Sequence, residues 1–176
     1  LIRSRGLGDV YKRQIGNTGL HYANAFFSHF NCDAITVSPY MGEESIEPFI
    51  SNPSKGAYVL CRTSNKSSTF IQEEIYSKVI SLCEALNNQQ NIGLVVGATN
   101  DDALMQVRNS TDLPFLIPGI GAQGGDLQSV LKINEKNMDT SLINVSRGII
   151  FSGNKDYDSI RNSTKQYLNQ LRGLNG

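Results

Sequence analysis

"PFLIPGIGAQGGDLQSVL", residues 114–131, opens on the apolar block Phe115, Leu116 and Ile117, passes four glycines within seven residues, and continues into the apolar-periodic run Leu127, Val130, Leu131. A short apolar block bounded by proline and glycine has the length of a buried strand, and the periodic run after it suggests a short helix. The two together make a βα unit whose connecting loop is almost bare backbone. Such a loop is either a turn that needs positive φ or a place where a ligand approaches the main chain closely.

The same rhythm recurs outward from this stretch. "DAITVSPY", "GAYVLCRTS", "NIGLVVGAT" and "LINVSRGIIF" are also short, β-branched and aliphatic, and each runs into Gly, Ser, Thr or Pro. Their apolar blocks, with that of residues 115–117, begin near residues 34, 57, 92, 115 and 143, at spacings of about 23, 35, 23 and 28, which suit strands joined by crossover helices. In "STFIQEEIYSKVISLCEALNN" the residues Ile71, Ile75, Val79, Leu82 and Leu86 recur at helical intervals, and Thr69 with Gln72 fits a capping box. Two further stripes are expected to face the core: Ala23, Phe26 and Phe30 before the first strand, and Tyr157, Ile160, Thr164, Tyr167, Leu168 and Leu171 near the C-terminus. "NEKNMDTS", residues 134–141, is expected to be a loop.

Composition narrows the function. The chain has 176 residues, 39% hydrophobic and 18% charged, with sixteen basic against sixteen acidic residues and a net charge of zero. One core of ordinary size is expected, and the balanced charge offers no basic face to nucleic acid, so a small-molecule partner is the better expectation. No apolar run reaches the roughly 18 residues a membrane span needs, and the first residues lack the apolar centre of a signal peptide, so no membrane partner and a cytoplasmic location are expected. Cys32, Cys61 and Cys83 have no C-x-x-C spacing and are expected to be buried, reduced thiols, with no metal site.

Repeated βα units leave an open doubly wound sheet or a closed (β/α)₈ barrel. The glycine-rich run lacks an acidic residue at the end of another strand to complete a dinucleotide fingerprint. In barrels the ligand sits at the C-terminal strand ends, with phosphate often held after strands seven and eight. If the last unit here is the eighth, "GIGAQGGD" comes after strand seven and "SRG" after strand eight. Backbone N–H groups, Gln123 and Arg147 would then be the phosphate donors.

"DAITVSPYMG", "YVLCRTSN", "GLVVGAT", "PGIGAQGGD" and "NVSRGI", in this order and at these separations, resemble the orotidine 5′-phosphate decarboxylase family from about Ile15 to the C-terminus. The resemblance implies a dimeric (β/α)₈ barrel that converts orotidine monophosphate to uridine monophosphate in pyrimidine biosynthesis, without metal or organic cofactor. It implies that Ser64 contacts the pyrimidine, that Pro118 and Gly119 border the base, and that Gln123 and Arg147 hold the phosphate. It further implies that Thr18, in Ile-Gly-Asn-Thr, reaches the ribose in the neighbouring subunit of a homodimer.

The chain departs from the family pattern where the chemistry is done. The family carries Asp-x-Lys-x-x-Asp directly before Ile-Gly-Asn-Thr, and here Asp9, Tyr11 and Gln14 stand at those three positions. Lys12 is one residue out of register, so it is assigned no catalytic role, and no residue of this chain is. "LIRSRGLGDVYKRQ", residues 1–14, has neither helical nor strand periodicity and is expected to be a non-native leader, with residues 15–176 forming a partial barrel of about five βα units, strands four to eight. A complete barrel usually takes about 250 residues. Such a fragment is expected to be inactive as it stands. A non-catalytic nucleotide-phosphate-binding fragment is the alternative expectation, and a related sugar-phosphate barrel enzyme is a further one, which "CRTSN" argues against.

Overall fold

The structure, a computed structural model, describes residues 15–121 and 123–173. Asp9, Tyr11, Lys12 and Gln14, and with them the expected leader, lie outside the described residues. The strands are β1 (Ala34–Val37), β2 (Gly56–Arg62), β3 (Ile92–Val96), β4 (Phe115–Pro118) and β5 (Leu142–Asn144). The helices are α1 (Ile15–Asn24), α2 (Glu47–Ile50), α3 (Thr69–Leu86), α4 (Asp101–Ser110), α5 (Leu127–Ile133), α6 (Arg147–Ile150) and α7 (Tyr157–Leu171). All five segments expected to be strands are strands, hydrogen-bonded in the order β1-β2-β3-β4-β5. The order is that of the chain, as successive βα crossovers between neighbouring strands produce. β1 lies parallel to β2 with Ala34 opposite Gly56 and Val37 opposite Val59, and β4 lies parallel to β5 with Ile117 opposite Ile143.

The chain divides into two compact units, one holding residues up to Leu60 and Lys78–Leu94, the other Cys61–Ser77 and the chain from Val95 onward. In the first, Val37, Ile46, Phe49, Ala57, Val59, Ile80, Cys83, Ile92 and Leu94 are buried. The Asn91 amide donates to the carbonyls of Ile50 and Lys55, both at 2.9 Å, and the Asn91 carbonyl accepts from the Ala57 N–H at 3.0 Å. One polar side chain thus closes the turn that feeds β2, satisfying carbonyls that would otherwise lack partners.

In the second unit Val96, Leu104, Val107, Phe115, Ile117 and Val130 are fully buried. The Arg108 guanidinium lies 3.5 Å from the centre of the Phe115 ring and donates to the carbonyls of Thr111 and Leu113. Burial pulls its pKa down to about 10. Asn100 caps α4, its side-chain oxygen accepting from the Ala103 N–H at 3.0 Å.

Several expectations about helix faces need correction. Gln72 does not serve a capping box with Thr69. Its Oε1 accepts from the Thr63 N–H at 2.8 Å and its Nε2 donates to the Thr63 hydroxyl at 2.9 Å, so a tertiary partner takes the amide. The buried residues of α3 are Val79, Ile80 and Cys83, while Ile71 at its first turn is exposed, so the burial stripe is centred one residue off the periodic one. Phe30 is exposed because residues 25–29 form a π-helical turn, and the Phe30 N–H bonds the Ala25 carbonyl five residues back. The extra residue rotates the end of the helix off the Ala23 face. The α7 stripe has no fully buried member, with Tyr157, Leu168 and Leu171 exposed. Residues 135–140, expected as loop, form 3₁₀ turns.

The thiols also divide. Cys61 and Cys83 are buried, but Cys32 is only half-buried. Burial pushes the Cys61 thiol up to about 12, against a smaller opposing pull from the Arg62 charge. Since the thiolate is the reactive form, iodoacetamide at pH 8 is expected to alkylate Cys32 in the native chain and to reach Cys61 and Cys83 only after unfolding. Peptide mass spectrometry of the two samples checks this, and native labelling at Cys61 would contradict the packing described.

Candidate functional site

The C-terminal ends of β2, β3 and β4 converge in the second unit, and backbone is brought against backbone there. The Gly97 N–H donates to the Arg62 carbonyl at 2.7 Å, and the Ala98 N–H donates to the Pro118 carbonyl at 2.9 Å. A Cβ placed on Gly97 would stand 2.7 Å from the Ser64 nitrogen and 2.9 Å from its Cα. One placed on Gly125 would stand 2.7 Å from the Gly119 carbonyl oxygen and 2.8 Å from that of Ala98. Only glycine fits at either position, because main-chain atoms cannot swing aside as a side-chain tip can.

That crowding sets Ser64. Its carbonyl accepts from the Thr99 hydroxyl at 3.1 Å, and its own hydroxyl donates to Gln123 Oε1 at 2.8 Å. The bond joins the loop after β2 to the loop after β4 across 59 residues of sequence. Behind Ser64, Arg62 at the end of β2 is buried, pairs with Glu73 of α3 at 2.7 Å, and lies 5.2 Å from the centre of the Tyr76 ring. Thr63 is clamped by Gln72, so the whole "CRTSN" segment is fixed from the helix side.

The glycine-rich loop closes on itself. The N–H groups of Gly121, Gly124 and Gly125 donate to the carbonyls of Gly125, Gly121 and Gly119. Gly119, Gly121 and Gly124 have positive φ. Those three glycine N–H groups are taken up within the loop that carries Gln123. Asp126, which ends the motif, caps α5 by accepting from the Ser129 N–H at 2.9 Å. That bond holds its carboxyl below the usual carboxylate range. A depressed carboxylate pKa makes the cap a contribution that is present at neutral pH and lost as pH falls through that lowered value.

Of the residues singled out in the sequence, Ser64, Pro118, Gly119, Gln123 and Arg147 all lie in this unit. A hollow of about 240 Å³ is lined by Pro118, Gly119, Gln123 and Arg147 together with Asn144 and Ser146. A neighbouring hollow of about 350 Å³ is lined by Ser64, Asn65, Lys66, Thr99 and, again, Gln123. Gln123 is thus common to both. Arg147 begins α6 and is exposed, and among the described residues it makes no salt bridge. The pairing of the Ser146 hydroxyl with Asn144 Oδ1 at 3.0 Å shapes the turn that carries it. Thr18 lies in the other unit, half-buried on α1, where it lines a hollow of about 270 Å³ with Tyr22, Phe26, Ile35 and Met41. Gly97 and Thr99 were not singled out in the sequence. Their only signal is "GAT" at the mouth of a strand whose five residues are all buried.

The family model for orotidine 5′-phosphate decarboxylase / HUMPS matches residues 14–159. The chain belongs to this family. It is 42% identical over 158 residues to the orotidine 5′-phosphate decarboxylase of Halorubrum lacusprofundi, covering 82% of this chain and 56% of that protein. Among solved structures, the Leishmania donovani UMP synthase superposes with a TM-score of 0.82 at 39% identity, over 91% of this chain and 37% of that one. The Leishmania donovani OMP decarboxylase superposes with a TM-score of 0.79 at 37% identity, over 89% and 63%. The chain spans a little over half the length of the curated relatives it matches. The decarboxylase from Methanocaldococcus jannaschii, at 22% identity and a TM-score of 0.75, shares the fold. The expected fold class, an α/β partial (β/α)₈ barrel of five βα units, is the one this decarboxylase-family chain has.

The convergence of strand ends generates a stability prediction. Gly97→Ala forces a methyl onto the Ser64 backbone and is expected to cost about 1–3 kcal/mol by overpacking. Gly124→Ala, which meets nothing within 4 Å, is expected to cost only the strain of its positive φ, about 1 kcal/mol. Urea midpoints of the two variants check the difference, and equal losses would mean the approach at Gly97 is looser than described.

Proposed function

We propose that this chain supplies the pyrimidine-reading and phosphate-holding half of an enzyme that decarboxylates orotidine 5′-monophosphate to uridine 5′-monophosphate. The observation that carries the reading is the Ser64–Gln123 hydrogen bond, which ties a base-side residue to a phosphate-side residue. The curated relatives bear the name of that decarboxylase, which favours it over a sugar-phosphate enzyme or a fragment that only binds nucleotide.

The geometry suits the division of labour. With its hydrogen given to Gln123, the Ser64 hydroxyl keeps its lone pairs as acceptors, and Ser64 lines the 350 Å³ hollow, where they can accept from a pyrimidine N–H. With its oxygen taken by Ser64, Gln123 keeps its amide N–H groups for an anion, and Arg147 adds a charged, bidentate donor on the same hollow. Pro118 and Gly119 border the base between them. Loss of CO₂ from the ring leaves a carbanion with no neighbouring electron sink, which demands electrostatic stabilisation and then a proton. Binding energy from the remote phosphate can be used to order the site around the reacting ring, so the grip of Gln123 and Arg147 belongs to catalysis as much as to affinity. In this reading Thr18 serves the ribose in the partner of a homodimer, and the enzyme works in the cytoplasm. No described helix is long and apolar enough to cross a membrane.

Two substitutions separate the roles. Arg147→Ala is expected to weaken binding of uridine monophosphate by about 2–3 kcal/mol and to leave uridine unchanged, because only the nucleotide carries the phosphate. Ser64→Ala is expected to weaken uridine and to leave ribose 5-phosphate nearly unchanged. Calorimetry with the three ligands decides, and equal losses of uridine and its monophosphate in Arg147→Ala would remove Arg147 from the phosphate site.

Turnover is a separate matter, since Tyr11 and Gln14 stand where the family has Lys and Asp. Loss of orotidine monophosphate absorbance is expected only for a version in which residues 1–14 are replaced by the whole N-terminal part of a full-length relative, Asp-x-Lys-x-x-Asp included. Turnover by the chain with its own residues 1–14 would show that another group protonates the carbanion.

A further inference from the structure

We propose that Tyr167 is a positioning residue that couples the loop after β4 to the loop after β5, so that Gln123 and Arg147 are set as a pair. The proposal rests on the reading of those two residues as phosphate donors. Its physical basis is one hydroxyl touching two bare backbones. A Cβ placed on Gly121 would stand 2.5 Å from the Tyr167 hydroxyl oxygen, and one placed on Gly148 would stand 2.7 Å from the same atom. Gly121 lies two residues before Gln123, and Gly148 directly follows Arg147. One glycine of "GIGAQGGD" and one of "SRG" therefore face the same hydroxyl.

Other features of α7 point the same way. The Ser163 hydroxyl, one helical turn earlier on the same face, donates to the Gly148 carbonyl at 2.9 Å. Much of the remaining space between the loops and α7 is open: a hollow of about 620 Å³ is bounded by Gly121, Gly125, Gly148, Ser163 and Tyr167. With no fully buried residue on α7, the helix gains little from apolar packing, and the Tyr167 contact is a specific bridge across that hollow. A ligand gripped from both loops needs their spacing held to well under an ångström, which a rigid phenol supplies at small entropic cost.

The test uses the whole chain and two independent readouts. Amide hydrogen exchange without ligand is measured for the unsubstituted chain and Tyr167→Phe, and calorimetry is run with uridine monophosphate and uridine. Tyr167→Phe is expected to speed exchange in both loops while leaving β3 and α4 unchanged, and to weaken the monophosphate about tenfold with uridine unaffected. Gly148→Ala is expected to lose monophosphate affinity similarly, and Gly148→Ala combined with Tyr167→Phe to regain most of it, since the methyl occupies the space the hydroxyl leaves.

Faster exchange in one loop only or in neither, equal weakening of both ligands, or simple additivity in the double variant would overturn the coupling. If the unsubstituted chain fails to bind the monophosphate, or Arg147→Ala leaves that binding unchanged, the phosphate reading falls and the exchange result alone decides whether Tyr167 couples the loops.

Discussion

Three strand ends in the C-terminal unit come closer than any side chain larger than hydrogen would permit, and the candidate site depends on that approach. Gly97 lies against the Ser64 backbone, and Gly125 against the carbonyls of Gly119 and Ala98. Close approach lets the Gly97 and Ala98 N–H groups find carbonyls on the adjoining segments. The segment from Arg62 to Ser64 is thereby held from the strand side, while Glu73 and Gln72 hold it from the helix side. The Ser64 hydroxyl reaches across the site to Gln123 at 2.8 Å, while its carbonyl accepts from Thr99.

Rigidity built on glycine carries an entropic cost, and the molecule offsets it locally. The glycine-rich loop uses three of its own N–H groups to close itself, and the Asp126 cap starts α5 immediately after it. These bonds are made by the chain itself and need no ligand. A ligand that meets preorganised donors loses less of its binding energy to ordering them, which matters when that energy must serve a distant reacting atom.

The zero net charge fits this arrangement. A chain with sixteen cations and sixteen anions carries no net charge, so the potential at the candidate site is set by individual groups close to it. Arg147, exposed and in no salt bridge among the described residues, is such a group, and it lines the same hollow as Gln123. Arg62, by contrast, is engaged by Glu73 and Tyr76 and braces the strand end. Two arginines, one ending β2 and one beginning α6, are thus given different surroundings by their neighbours.

The sequence by itself determined the five strands, their order of appearance and the loops that carry the candidate site, because apolar blocks closed by glycine and serine are local signals that report strand ends directly. It also carried the family resemblance and singled out Ser64, Gln123 and Arg147. Helix faces were less legible. A π-helical turn turned Phe30 outward, and Thr63 drew Gln72 away from the cap that Thr69 offered. The partner of each polar group was decided by tertiary structure alone. That Ser64 meets Gln123 across 59 residues, that Gly97 is glycine because Ser64 lies behind it, and that Gly121 and Gly148 answer to one tyrosine are all contacts between segments distant in sequence. No local pattern encodes them, because a hydrogen bond or a steric limit of this kind exists only once the crossovers have brought the strand ends side by side.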